Sequence, residues 1–151
     1  MQDLTAYDDR MIREYNQILQ DLQQNSCKSA FEWCQANKSK LMKTNSSFLI
    51  KLVVQEFIEK VKKGETNEAL AYIKKNSDLF GETHMDELKQ AMGCLTFYKC
   101  IDKFPKYKYL LSDARWKELI DMFKKESFML YGISDQSQLE ITLKVFECSF
   151  P

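Results

Sequence analysis

Glycine and proline are scarce in this chain. Four Gly and two Pro stand among 151 residues, where average usage would give roughly 18. Tight turns depend on Gly for positive φ and on Pro for a preset φ, so this scarcity counts against a sandwich, a propeller or a many-stranded barrel. It also removes the Gly-rich loops that cradle phosphates: neither G-x-G-x-x-G nor a Walker A sequence occurs. Apolar residues make up 44% and aromatics 13%, enough for a core. A chain of this length can bury roughly 70% of its unfolded surface. The expectation is an all-α protein, a helical bundle or short α-solenoid of about seven helices.

Apolar spacing locates those helices. The first runs over 4–22, with Leu4, Tyr7, Met11, Ile12, Tyr15, Ile18, Leu19 and Leu22 in register and Asp3 at its start. A second spans 27–37 behind Ser26, carrying Trp33 and Cys34. The basic stretch 38–47 reads as a loop or a short helix. The strongest signal is 48–63, where Ile50, Val54, Phe57, Ile58 and Val61 form one stripe and Gly64 suits the left-handed position after the end. Further helices follow over 66–75, over 84–97 behind a Thr83–Asp86 capping box, and from Ser112 or Asp113 to Tyr131, ended by Gly132. Pro105 breaks the connector before that helix. A last segment opens at Ser134 or Ser137. The expected organisation is an N-terminal amphipathic helix at 1–25, a helical region at 26–82 and a second at 83–151.

Charge and chemistry narrow the function classes. Net charge is zero, with 22 basic and 22 acidic residues, which weakens any case for non-specific nucleic-acid binding. The balance is blockwise: residues 1–25 carry two Arg against five acidic side chains, and 26–63 carry eight Lys against three Glu. The five cysteines form no C-x-x-C pair, and the polar start reads as no secretory leader. Reduced thiols in the cytoplasm or nucleus are therefore expected. Neither metal nor cofactor is expected. FLIKLVV at 48–54, interrupted by Lys51, is too short to span a membrane. The single His, His84, offers little for general acid–base catalysis, so no catalytic residue is expected. The competing function is nucleic-acid binding by 98–109, where Lys99, Lys103, Lys106 and Lys108 interleave with Tyr98, Phe104, Tyr107 and Tyr109.

Three stretches carry a resemblance. In 30–76, Trp33, Cys34, Asn37, Lys38, Ser39, Leu41 and Lys43 are followed by Gln55-Glu56-Phe57-Ile58-Glu59, then by Glu68, Ala69, Tyr72 and Lys75. The second is ELKQAMGCLTF at 87–97, and the third is YKYLLSDARWKELIDMFKKESFMLYGI at 107–133. Together they resemble the CTLH–CRA domain pair. Their wording is most similar to the macrophage erythroblast attacher type of subunit in GID/CTLH E3 ubiquitin ligase complexes.

The resemblance implies a helical scaffold that pairs with another CTLH–CRA subunit, as a homo- or heterodimer, and with other ligase-complex subunits. No LisH motif and no RING-like Cys/His ladder is read in the sequence, so assembly rather than ubiquitin transfer is the expected role. Phe57, Ile58, Tyr72, Leu88 and Met92 are the candidates for core or pairing surface, and Trp33 and Trp116 for core anchors. Three positions depart from the family pattern. Ser47 stands where an acidic residue is usual, and Phe146 and Glu147 replace small residues near the end.

Overall fold

The computed structural model describes residues 2–98, 103 and 105–130, with side chains from Arg10 onward except those of 106 and 107. Regular structure among these residues is helical: α1 (Gln2–Gln23), α2 (Lys28–Ala36), α3 (Lys38–Lys43), α4 (Phe48–Lys62), α5 (Thr66–Lys75), α6 (Met85–Phe97), α7 (Pro105–Leu110) and α8 (Ala114–Leu130), with a 3₁₀ turn at Ser77–Leu79. The all-α expectation is met. The segment opening at Ser134 or Ser137 lies outside the described residues, as do Gly132, Phe146 and Glu147.

The chain forms two packing units. One combines Met1–Ser46 with Ile120–Pro151, and the other is Ser47–Leu119. In the first, Tyr15, Ile18, Leu19 and Leu22 of α1 and Ala30, Trp33 and Cys34 of α2 are buried together with Phe123 and Phe128 of α8. Phe123 lies between helices: its ring stacks on Tyr15 at 5.3 Å and meets Trp33 edge-on at 5.0 Å. In the second unit α4 is the axis. Phe48, Ile50, Leu52, Val53, Val54, Gln55, Phe57, Ile58 and Val61 are all buried, and at 100° per residue they cover most of the helix circumference. Only a narrow face, with half-buried Leu49, Glu56 and Lys60, is left toward solvent, so most of the helix is packed in the interior. It is flanked by α5 and α6, which contribute Ala69, Ile73, Ala91 and Cys94 to the core.

Helix ends explain how the chain turns with so little glycine. After α1, Asn25 adopts φ +61°, the Ser26 N–H donates to the Asp21 carbonyl, and the Asn25 N–H to that of Leu22. This is the Schellman closure. It recurs after α3 at Asn45 and after α4 at Gly64, with φ of +52° and +78°; Ser46 then donates to Leu41 and Glu65 to Lys60. Asparagine tolerates the left-handed region better than other residues with a Cβ.

Several expected helix starts are corrected. Ser26 lies one residue before the cap of α2: Cys27 takes that position without a side-chain bond, while the Ser26 hydroxyl accepts from the Lys28 N–H at 3.5 Å and the Ser26 N–H closes α1. The Thr83–Asp86 box does not form. The His84 N–H bonds the Phe80 carbonyl, so the cap falls one residue later, on His84. Of the two starts expected for the next helix, the Ser112 hydroxyl turns back to the Tyr109 carbonyl at 2.6 Å, closing α7, and α8 begins at Ala114, directly behind Asp113. Asp3 lies inside α1, which already begins at Gln2. Pro105 opens α7 instead of breaking a connector. The first helical position suits proline, whose missing N–H would have no intrahelical partner there.

Candidate functional site

All or part of each of the three stretches that carried the resemblance falls in the second unit. Gln55 of α4 is fully buried and Arg115 of α8 nearly so. The Arg115 Nε–H donates to Gln55 Oε1 at 3.1 Å, and Gln55 Nε2 donates in turn to Glu59 Oε1 at 3.1 Å. That carboxylate oxygen also accepts from the Trp116 indole N–H at 3.2 Å and from Lys62 at 3.4 Å. On α6, Glu87 pairs with Lys51 of α4 at 3.0 Å and lies 3.5 Å from His84. Burial pushes the Arg115 guanidinium below its usual range, while the Glu87 carboxylate and the Cys94 group oppose that shift. Q-E-F-I-E, E-L and R-W thus become one polar layer joining α4, α6 and α8. The donors and acceptors of this layer serve one another, which suits helix positioning.

The second feature is on α6. Met85, Leu88, Met92 and Leu95 follow a 3-4-3 spacing, which lines up side chains along one face. Met85 is exposed and the other three are half-buried, whereas Ala91 and Cys94, inward on the same helix, are fully buried. So α6 is apolar on its inward face and along this outer stripe.

The other expected residues are distributed as follows. Phe57 and Ile58 are fully buried in the α4 core. Tyr72 is half-buried, with the Lys60 ammonium 5.6 Å from its ring centre. Trp33 and Trp116 are buried, one in each unit. In the basic-aromatic segment, Tyr98 and Tyr109 are exposed. The Tyr98 hydroxyl is engaged, donating to the Lys62 carbonyl at 3.2 Å. Burial pushes the Cys34 thiol up to about 12, helped by Glu126, and the Cys94 thiol to about 11, opposed by Arg115. Among the described residues, no helix is long and apolar enough to cross a membrane. Nor do three His, Cys, Asp or Glu side chains cluster there to hold a metal ion.

Sequence reasoning missed Gln55 and Arg115 as a pair. The available signal was a polar residue on the inward side of each of two apolar helices, one an acceptor and one a donor.

Comparison with known proteins decides the family. The profile described as "CTLH/CRA C-terminal to LisH motif domain" matches residues 11–150. The chain belongs to the CTLH family. It is 35% identical over 137 residues to the Protein MAEA homolog of Arabidopsis thaliana, covering 89% of this chain and 32% of that protein. It is 34% identical over 121 residues to Protein FYV10 of Yarrowia lipolytica, covering 80% of this chain and 21% of the relative. To the E3 ubiquitin-protein ligase RMND5A of Xenopus tropicalis it is 33% identical over 131 residues, covering 85% and 33%. The chain thus spans between a fifth and a third of the length of these CTLH-family relatives. No solved structure matches it.

Proposed function

We propose that this chain is a non-catalytic helical assembly module of a GID/CTLH-type E3 ubiquitin ligase complex, pairing with another CTLH–CRA subunit. Membership is supported by the family match and by a relative named as an E3 ubiquitin-protein ligase. In this reading, residues 26–82 are the CTLH-like part, 83–151 the CRA-like part, and 1–25 a leading helix. The setting is the cytoplasm or nucleus.

The observation that carries pairing is the outer stripe of α6. Partly exposed apolar side chains at a/d-like spacing suit a helix seated along them. Burying such a seam contributes roughly 25 cal/mol for each Å² of apolar area removed from water. The test is size exclusion with light scattering, on the chain alone and mixed with a second CTLH–CRA protein. A dimer or heterodimer is expected, reduced to monomer by Met85→Glu with Met92→Glu while helicity by circular dichroism stays unchanged. A chain that stays monomeric with every such partner contradicts the proposal.

A further inference from the structure

We propose that the outward face of α3 docks an acidic segment of a partner protein, one that carries an apolar side chain among its carboxylates. Of the six residues of α3 only Leu41 is buried. Lys38, Ser39, Lys40, Met42 and Lys43 are all exposed. At about 100° per residue, Ser39 stands opposite Leu41, with Lys38 and Met42 to one side of it and Lys40 and Lys43 to the other. Met42 is 68% exposed, more than any other large hydrophobic side chain among the described residues. The fold makes no use of these charges. Lys38 in the first turn opposes the helix dipole, with no acidic residue beside it in that turn, and Lys40 and Lys43, three apart, repel each other. In the second unit Lys51, Lys60 and Lys62 reach the carboxylates of Glu87, Glu56 and Glu59 at 3.0, 4.0 and 3.4 Å. Among the described residues none of the three α3 lysines makes an ion pair. Carboxylates of a partner relieve both repulsions, and the small Ser39 leaves room for an apolar side chain to lie against Met42. A membrane fits less well, because α3 offers it one apolar side chain. Nor does α3 carry an aromatic ring on which a nucleic-acid base could stack. The face belongs to the first packing unit and does not rest on pairing through α6.

The experiment is fluorescence anisotropy on the full chain at about 50 mM salt, with a labelled peptide of one central leucine flanked on each side by four glutamates. Saturable binding in the range of roughly 10–100 μM is expected. Lys40→Glu with Lys43→Glu is expected to weaken it at least about tenfold, and the neutral pair Lys40→Gln with Lys43→Gln about threefold or more. Met42→Ser in the chain, or serine for leucine in the peptide, is expected to weaken it about threefold. Lys74→Glu with Lys75→Glu makes the same change of net charge on two exposed lysines of α5, and is expected to shift binding less than about twofold. Circular dichroism is expected to match the parent throughout, since all these side chains are exposed. Absence of peptide binding overturns the proposal. So does a loss as large in the α5 control as in the α3 variants, or binding indifferent to both Met42 and the leucine. Phosphatidylserine vesicles or single-stranded RNA bound more tightly than the peptide, through the same three lysines, would overturn it as well.

Discussion

Phe123 brings α1, α2 and α8 together at a single ring. It stacks on Tyr15 and meets Trp33 edge-on, and its side chain is fully buried. Truncation to alanine removes both ring contacts and leaves a cavity that neighbouring helices can fill only in part. Phe123→Ala is expected to cost about 3–5 kcal/mol in urea unfolding. Phe123→Leu, which keeps most of the volume, is expected to cost less. The buried thiols set a second expectation. Unfolded cysteine titrates near pH 8.5, while burial holds Cys34 up at about 12 and Cys94 at about 11. Between those limits the folded chain keeps protons that the unfolded chain has lost. Stability from these groups is therefore complete below about pH 8.5 and falls as pH rises toward 11. Each thiol contributes a slope of about 1.4 kcal/mol per pH unit across that window. Urea titrations at pH 8 and pH 10 check this: Cys34→Ala is expected to flatten the decline, and an unchanged slope would contradict it.

At the scale of elements, the helix bodies were legible and many of the ends were not. Periodicity alone placed α4 and α5 to within a residue, because an apolar face must be continuous to be buried. The ends depend on which backbone group reaches a partner first. Ser26 looked like the cap of α2, yet the first helical carbonyl bond falls on Cys27, and Ser26 instead closes α1 through its N–H while its hydroxyl accepts from Lys28. Two asparagines do work that sequence reasoning assigned to glycine alone, so the turns after α1 and α3 carried no glycine signal. Gly64 tests the distinction. Nothing lies within 4 Å of a Cβ placed there, and its φ is +78°, so Gly64→Ala costs only the backbone strain, about 1–2 kcal/mol. Asn45→Gly, at a similar φ, is expected to be tolerated to within about 0.5 kcal/mol, as measured by thermal unfolding.

For the whole molecule, family and fold were readable from three motif stretches because their residues occur in order and at the right spacing. Less legible was why those residue types are present. Gln55 with Glu59, Glu87, and Arg115 with Trp116 come from three stretches far apart in sequence, and a linear pattern does not reveal that one polar layer gathers them. The outer stripe of α6 was likewise visible only as periodicity. Its partial exposure, alongside fully buried Ala91 and Cys94, emerged once the helix was seated in its unit. The competing use of 98–109 makes a different prediction for the intact chain. A salt titration with single-stranded RNA is expected to show no submicromolar, salt-sensitive binding, and none that falls with Lys106→Glu plus Lys108→Glu.

The central claim is that the chain works by pairing through α6. Light scattering on the purified chain, alone and with a second CTLH–CRA protein, addresses it most directly. The account predicts the mass of a dimer or a one-to-one complex, lost when Met85 and Met92 are both replaced by glutamate. A monomer mass under every condition, or a complex indifferent to those two changes, would contradict it.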